Sequence, residues 1–189
     1  MITQINNPLP VTPLVHRFPA GAQAAAPAPG GARAVPAGAG AVFDFGGLGV
    51  HWKIDAPDTG GRFSVVHHPL APRALAAPLH FHHREDEYSF VLRGRLGALL
   101  GDDVLVAEPG TWVFKPRGQW HTFWNAGDEP CEIIEVISPG GFENYFREVA
   151  KAWGDLERFG QLNAEYGLEM RFDSVPELCA RFGLTFPPL

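Results

Sequence analysis

From Val42 onward the chain alternates short apolar runs with Gly, Pro, Asp and Asn, at intervals of about 8 to 12 residues, which is the punctuation of strands and turns. The runs predict strands at residues 41–45, 48–54, 61–68, 78–82, 86–93, 95–101, 103–107, 111–115, 120–125 and 130–137. Gly60-Gly61, Gly94, Gly101-Asp102 and Gly127-Asp128 supply the turns between them. No helix-length periodic segment interrupts the series before residue 138, so the expected class is all-β, an antiparallel sandwich or barrel. After Ser138-Pro139-Gly140-Gly141 the period changes. Phe142, Tyr145 or Phe146, Val149 and Trp153 recur at helical spacing and predict an amphipathic helix that stops at Gly154. A second helix is expected from Asp155 to Tyr166, closed by Gly167, and a third from the capping-box pattern Ser174-x-x-Glu177 to Gly183.

The first 40 residues have a different texture. Pro8, Pro10 and Pro13 stand between apolar residues and suit an extended arm. From Pro19 to Ala41 every residue except Gln23, Arg33 and Val35 is Ala, Gly or Pro, too little bulk to bury, and reads as a linker. The expected organisation is therefore an arm and linker over 1–40, a barrel over 41–140 and helices over 141–189, with one core for a chain of 189 residues. A formal charge of -6 without any cluster of Lys or Arg gives no footprint for nucleic acid or anionic lipid, leaving small molecules as the expected partners. Cys131 and Cys179 form neither a CxxC pair nor a disulfide framework, and no stretch of 18 apolar residues occurs. Met1 to Val15 lacks a basic start and an unbroken apolar segment, so a cytoplasmic location is the expectation.

The chemistry concentrates in Pro78-Leu79-His80-Phe81-His82-His83-Arg84-Glu85-Asp86-Glu87 and, downstream, His121. Residues two apart on a strand share a face about 6.6–6.8 Å apart, so His80 and His82 can aim both imidazoles at one ion, while His83 points the other way. Glu87 opens the next apolar run, and a strand folded back there brings its carboxylate alongside. Its register, with Ser89 and Val91 on the same face, favours it over Glu85 and Asp86, which with Arg84 read as a charged surface bend. Pro116-Arg117-Gly118 makes a tight turn, and the following strand carries His121 inward with Phe123 and Asn125 on its face. Three imidazoles and a carboxylate are a donor set for one divalent transition metal: Fe(II), Mn(II), Ni(II), Cu(II) or Zn(II). Trp52, Phe63, Phe90, Trp112, Phe114, Trp120, Phe123 and Trp124 are expected to form the barrel core, with Phe123 as the best wall candidate for a substrate and Ser89 and Val91 beside it. Lys115 and Arg117, near a turn, read as solvated charges, and one of His67 and His68 must face inward.

The spacings H-x-H-x4-E-x6-G, from His80 to Gly94, and Gly110-x5-Pro116-x-Gly118-x2-His121-x3-Asn125 resemble the two motifs of the cupin superfamily, over roughly residues 42–146. The context around His80, together with Thr59-Gly60-Gly61 and Ser138-Pro139-Gly140-Gly141-Phe142-Glu143, looks like its small single-domain, quercetinase-like group. The resemblance implies a jelly-roll β-barrel (double-stranded β-helix), here with a C-terminal helical extension. It also implies one metal held by residues matching His80, His82, Glu87 and His121, and frequently a homodimer. It further implies a metal-dependent dioxygenase acting on an enolic, flavonol-like or aromatic molecule, with Glu87 as ligand or general base. The superfamily's breadth leaves open an oxygen-independent cyclase, isomerase or lyase, or a non-catalytic binder, because a fold does not fix a function.

Overall fold

The structure, a computed structural model, describes residues 31–187; the expected proline arm and the first part of the linker lie outside the described residues. Among the described residues, eleven strands form two antiparallel sheets. The first sheet takes β1 (Val42–Asp44), β2 (Gly49–Ile54), β3 (Ser64–Leu70), β5 (Asp86–Arg93), β8 (Trp112–Lys115) and β10 (Cys131–Ser138), in the order β1-β2-β3-β10-β5-β8. The second takes β4 (Leu79–His82), β6 (Leu96–Leu100), β7 (Asp103–Ala107), β9 (His121–Asn125) and β11 (Leu168–Arg171), in the order β11-β4-β9-β6-β7. This is the jelly roll expected, and the strands fall where the apolar runs placed them, apart from β11 and from β3, which starts three residues later and runs on through Pro69 to Leu70.

The inner faces follow the period of two. In β10, Cys131, Ile133, Glu135 and Ile137 are buried while their neighbours are half-buried, and β3 and β5 alternate in the same way. Val50, Val66, Leu96, Val91, Ile133 and Ile137 make the centre of the core. Close approach is built into Gly97, where a Cβ would stand 2.2 Å from the Trp124 ring, and into Gly140, where it would meet the backbone of Phe63. Trp112 and Phe114 depart from the expectation: they are 59% and 51% exposed, because Val113 and Lys115 take the inward positions of β8. The two aromatics lie on the outer face, Phe114 stacked on Tyr88 and Trp112 tilted against Phe90.

Three helices follow the barrel: α1 (Glu143–Lys151), α2 (Leu156–Tyr166) and α3 (Val175–Phe182). Helix α1 carries Tyr145 and Val149 into the main core, and Phe142 precedes it; Leu162 of α2 is fully buried there too. Glu143, also fully buried, accepts from the backbone N–H groups of Ala56 (2.9 Å) and Gly141 (2.6 Å), which ties the start of α1 to the barrel rim. Asp155 caps α2 by accepting from Arg158 N–H at 3.0 Å, and Gly167 ends it in the left-handed region. The Ser174 capping box does not form. The Ser174 hydroxyl instead donates to the Arg171 carbonyl and accepts from the backbone N–H of Leu79, joining the α3 approach to β4. Helix α3 packs Leu178 into a second, smaller cluster with Leu75, Trp124 and Leu184. Ahead of the barrel, Lys53 donates to the carbonyls of Ala37 and Ala39, so the described part of the Ala/Gly/Pro segment is pinned along β2.

Candidate metal centre

Both sheets contribute to one cluster. His80 and His82 project from β4 with the buried parity expected, and His80 is registered opposite His121 of β9. Glu87 comes from β5 of the facing sheet. One donor atom from each of His80, His82, Glu87 and His121 lies within 4.8 Å of the other three, and all four residues are buried. Glu87 Oε1 is 3.4 Å from His82 Nε2, and Glu87 Oε2 is 3.4 Å from His121 Nε2. Among the described residues this is the one group of three or more His, Cys, Asp or Glu so disposed.

Backbone carbonyls set the imidazoles. His80 Nδ1 lies 2.8 Å from the Pro78 carbonyl and His121 Nδ1 3.0 Å from that of Gln119. A carbonyl can only accept, so each Nδ1 carries the hydrogen and each Nε2 keeps its lone pair for the centre, the tautomer that a metal ligand needs. Burial holds His80 well below the usual imidazole range and lowers His121, so both are neutral. His82 Nε2 and His121 Nε2 are buried and without a hydrogen bond among the described residues, and Glu87 Oε1 faces His82 Nε2 at 3.4 Å. Orphaned lone pairs converging in this way fit a cation. His83 points outward to Glu169, at 2.8 Å, and stands apart from the cluster.

Two neighbours depart from the sequence reading. Glu85 is buried rather than part of a surface bend, with its Oε2 3.6 Å from His82 Nδ1 and neither atom hydrogen-bonded among the described residues; Asp86 alone makes the surface pair, bonding Arg117. Lys115 is 1% exposed instead of solvated. It stands opposite Glu87 in the β5–β8 register, and its ammonium lies 2.9 Å from Glu87 Oε2 and 2.9 Å from Glu135 Oε2, over the Phe123 ring. Burial works to raise the Glu87 carboxyl, but Lys115, His82 and His121 outweigh it and hold the group well below the carboxylate range. Burial likewise works to lower Lys115, and Glu135 and Glu87 together raise it. Glu135, by contrast, is pushed up to about 7 by burial. The readable signal for Glu135 was an acid in the middle of the inward alternation Cys131, Ile133, Ile137.

A cavity of about 90 Å³ opens beside the cluster. His80, His82 and Glu87 line it from the barrel, Phe123 and His68 from the side, and Phe142, Tyr145 and Phe146 from the helical end. The Phe142 ring stands edge-on to His82 with centroids 4.4 Å apart. Leu168 and Met170 of β11, a strand the sequence reading missed, supply a further wall and pair with His82 and His80. Of the substrate residues expected, Phe123 is on the wall. Ser89 donates to Glu135 at 2.8 Å, and Val91 packs in the main core; neither lines the cavity. Asn125 is structural, its side-chain amide donating to the Leu70, Ala71 and Glu129 carbonyls and its oxygen accepting from Gly127 N–H.

Residues 66–137 match the family model of the cupin domain. The alginate biosynthesis protein AlgA of Pseudomonas fluorescens is 32% identical over 107 residues, 57% of this chain and 20% of that protein. The xanthan biosynthesis protein XanB of Xanthomonas campestris pv. campestris is 34% identical over 84 residues, 44% of this chain and 18% of that one. The chain thus spans about a fifth of the length of the curated relatives it matches. A crystal structure titled as a predicted oxalate decarboxylase from Thermotoga maritima superposes with a TM-score of 0.52 at 18% identity, covering 57% of this chain and 99% of that one, a likeness of fold. Together these findings support the cupin superfamily, with a His-His-Glu-His cluster that could bind a metal.

Proposed function

We propose that this chain is a metal-dependent cupin enzyme, a dioxygenase acting on an enolic, flavonol-like or other aromatic small molecule. The observation that supports it most is the meeting of four converging donor atoms with a cavity walled by aromatic rings. In this reading His80, His82, Glu87 and His121 hold one divalent transition ion, which supplies Lewis acidity toward a substrate oxygen. The carbonyls of Pro78 and Gln119 keep the His80 and His121 rings in the ligating tautomer. Lys115 holds Glu87 Oε2, leaving Oε1 as the oxygen that would either ligate the ion or, swung away from it, take a substrate proton. Phe123 and Phe142 flank the site and exclude water from it.

A second reading, an oxygen-independent isomerase, cyclase or lyase, is favoured by the likeness to proteins named for alginate and xanthan biosynthesis. The test is incubation of the full chain, loaded separately with Fe(II), Mn(II), Ni(II), Cu(II) and Zn(II), with a panel of flavonols in air and under argon. Oxygen uptake in step with flavonol loss is the expected result. No uptake with any metal overturns the dioxygenase, and turnover under argon with Zn(II) selects the second reading.

A further inference from the structure

The cavity has polar atoms beyond the four that converge on the candidate metal centre, and their hydrogen-bonding sense is one-sided. Glu135 lines the cavity and is 1% exposed; both Ser89 Oγ (2.8 Å) and Lys115 Nζ (2.9 Å) donate to its Oε2, whereas its Oε1 has no hydrogen bond among the described residues. A buried carboxylate oxygen left in this way is costly unless something donates to it. His68, 2% exposed, lines the same cavity from β3. Its Nδ1 lies 2.8 Å from the Gly49 carbonyl and so carries the hydrogen, and burial lowers the ring to about 4, so it is neutral and Nε2 presents a lone pair. The register places the two on adjacent strands of one inner face: Ile133 faces His68, and Glu135 follows two residues on.

Two of the nearest donors are already engaged. The Tyr145 hydroxyl donates to Asn163 at 2.7 Å, and the Lys115 ammonium is held by two carboxylates. Glu135 and His68 themselves thus offer acceptors among aromatic faces, while among the described residues the unpaired N–H groups of the lining are those of the His82 ring and the Trp153 indole.

We infer that Glu135 and His68 form a hydroxyl-reading wall: Glu135 Oε1 and His68 Nε2 accept hydrogen bonds from hydroxyl groups of the ligand, so that the metal-free cavity favours a neutral, hydroxyl-bearing aromatic over a carboxylate, which the Glu135 charge repels. This deepens the proposed function and rests on it for the aromatic class, although the wall itself involves none of the four candidate ligands. Glu135 and His68 are specificity-determining in this scheme, and Lys115 and Ser89 position the Glu135 carboxylate.

The experiment titrates the metal-free full chain, after chelator treatment and at pH 8, by calorimetry with catechol, with o-xylene, which places methyl groups where catechol has hydroxyls, and with benzoate. The expected result is that catechol binds and benzoate does not. Glu135→Leu and His68→Phe should each weaken catechol about tenfold or more while leaving o-xylene within about twofold, with Glu135→Gln, which keeps an acceptor oxygen, losing less than Glu135→Leu. Retained o-xylene binding shows that a variant is folded, and His68→Phe tests the wall independently should Glu135→Leu fail to fold. Equal loss of both aromatics in both variants, unchanged catechol binding, or benzoate binding as tightly as catechol would overturn the inference. Because these titrations need neither metal nor turnover, a preference for hydroxyls without oxygen uptake by the loaded enzyme would sink the dioxygenase and leave the wall standing.

Discussion

Replacing Lys115 by Met probes the charge balance on which the cluster rests. The ammonium lies 2.9 Å from a carboxylate oxygen of both Glu87 and Glu135, and all three side chains are buried. At an effective dielectric of about 20 each contact contributes about 6 kcal/mol of attraction, against a desolvation cost of several kcal/mol per ion. Removing the shared cation leaves two buried carboxylates facing each other, and the cost of breaking such a pair is about 3–5 kcal/mol. A divalent ion among His80, His82, Glu87 and His121 would neutralise Glu87 from its other side. Glu135, already raised to about 7, would then meet the loss by taking a proton. Urea unfolding of the wild type and Lys115→Met should therefore show a loss of about 4 kcal/mol in metal-free protein and roughly half that in protein saturated with Zn(II). A loss below about 1 kcal/mol in both forms, or an equal loss in the two, would refute the reasoning that Lys115 and the ion share Glu87.

Changing His80 or His121 to Ala should strip the bound metal while leaving the far-ultraviolet spectrum of the barrel, whereas His83→Ala should keep metal content near that of the wild type; elemental analysis of the dialysed proteins decides it. Leu162→Ala should cost about 3 kcal/mol, because Leu162 is fully buried in the main core; a loss under about 1 kcal/mol would mean that α2 is not packed on the barrel. His68 is fully buried and lowered from 6.5 to about 4, so its stabilising contribution is present above pH 6.5 and is lost as the pH falls toward 4. Metal-free wild type should lose about 3 kcal/mol more than His68→Phe between pH 7.5 and pH 4, as read from urea midpoints at the two values. Glu135 has the opposite sign: its contribution is present below the ordinary carboxylate value and is lost as the pH rises through about 7, and Glu135→Gln should flatten that alkaline fall in the same assay.

Much of the barrel was legible because its strands are amphipathic, and a period of two leaves only the choice of which face turns inward. For β4 and β5 that choice was made by the histidines and by Glu87, whose types suit an interior only if something gathers them. For β8 it went wrong. Trp112-Val113-Phe114-Lys115 offers two aromatics on one parity and a valine with a lysine on the other, and local preference puts the aromatics inside. What reverses it is the pairing of Lys115 with Glu87 and Glu135, which lie 28 and 20 residues away and become neighbours only once β5, β8 and β10 are aligned. Strand β11 escaped notice for another reason. Leu168-Glu169-Met170-Arg171 alternates correctly, but four residues between the end of one helix and the approach to the next are too few for the pattern to stand out. Glu85 was placed by its charged neighbours, whereas the fold buries it with its Oε2 3.6 Å from His82 Nδ1.

The place of β11 at the rim of its sheet has a consequence for how the protein is made. The strand that bears His80 and His82 has β9 on one flank and β11 on the other, and β11 is contributed by residues 168–171, almost ninety positions later. During synthesis the histidine strand therefore emerges early and waits as an open edge, its amides and carbonyls free to recruit a stray strand, until the residues just beyond α2 have left the ribosome. A nascent chain arrested before residue 168 would hold the histidine pair without its outer cover.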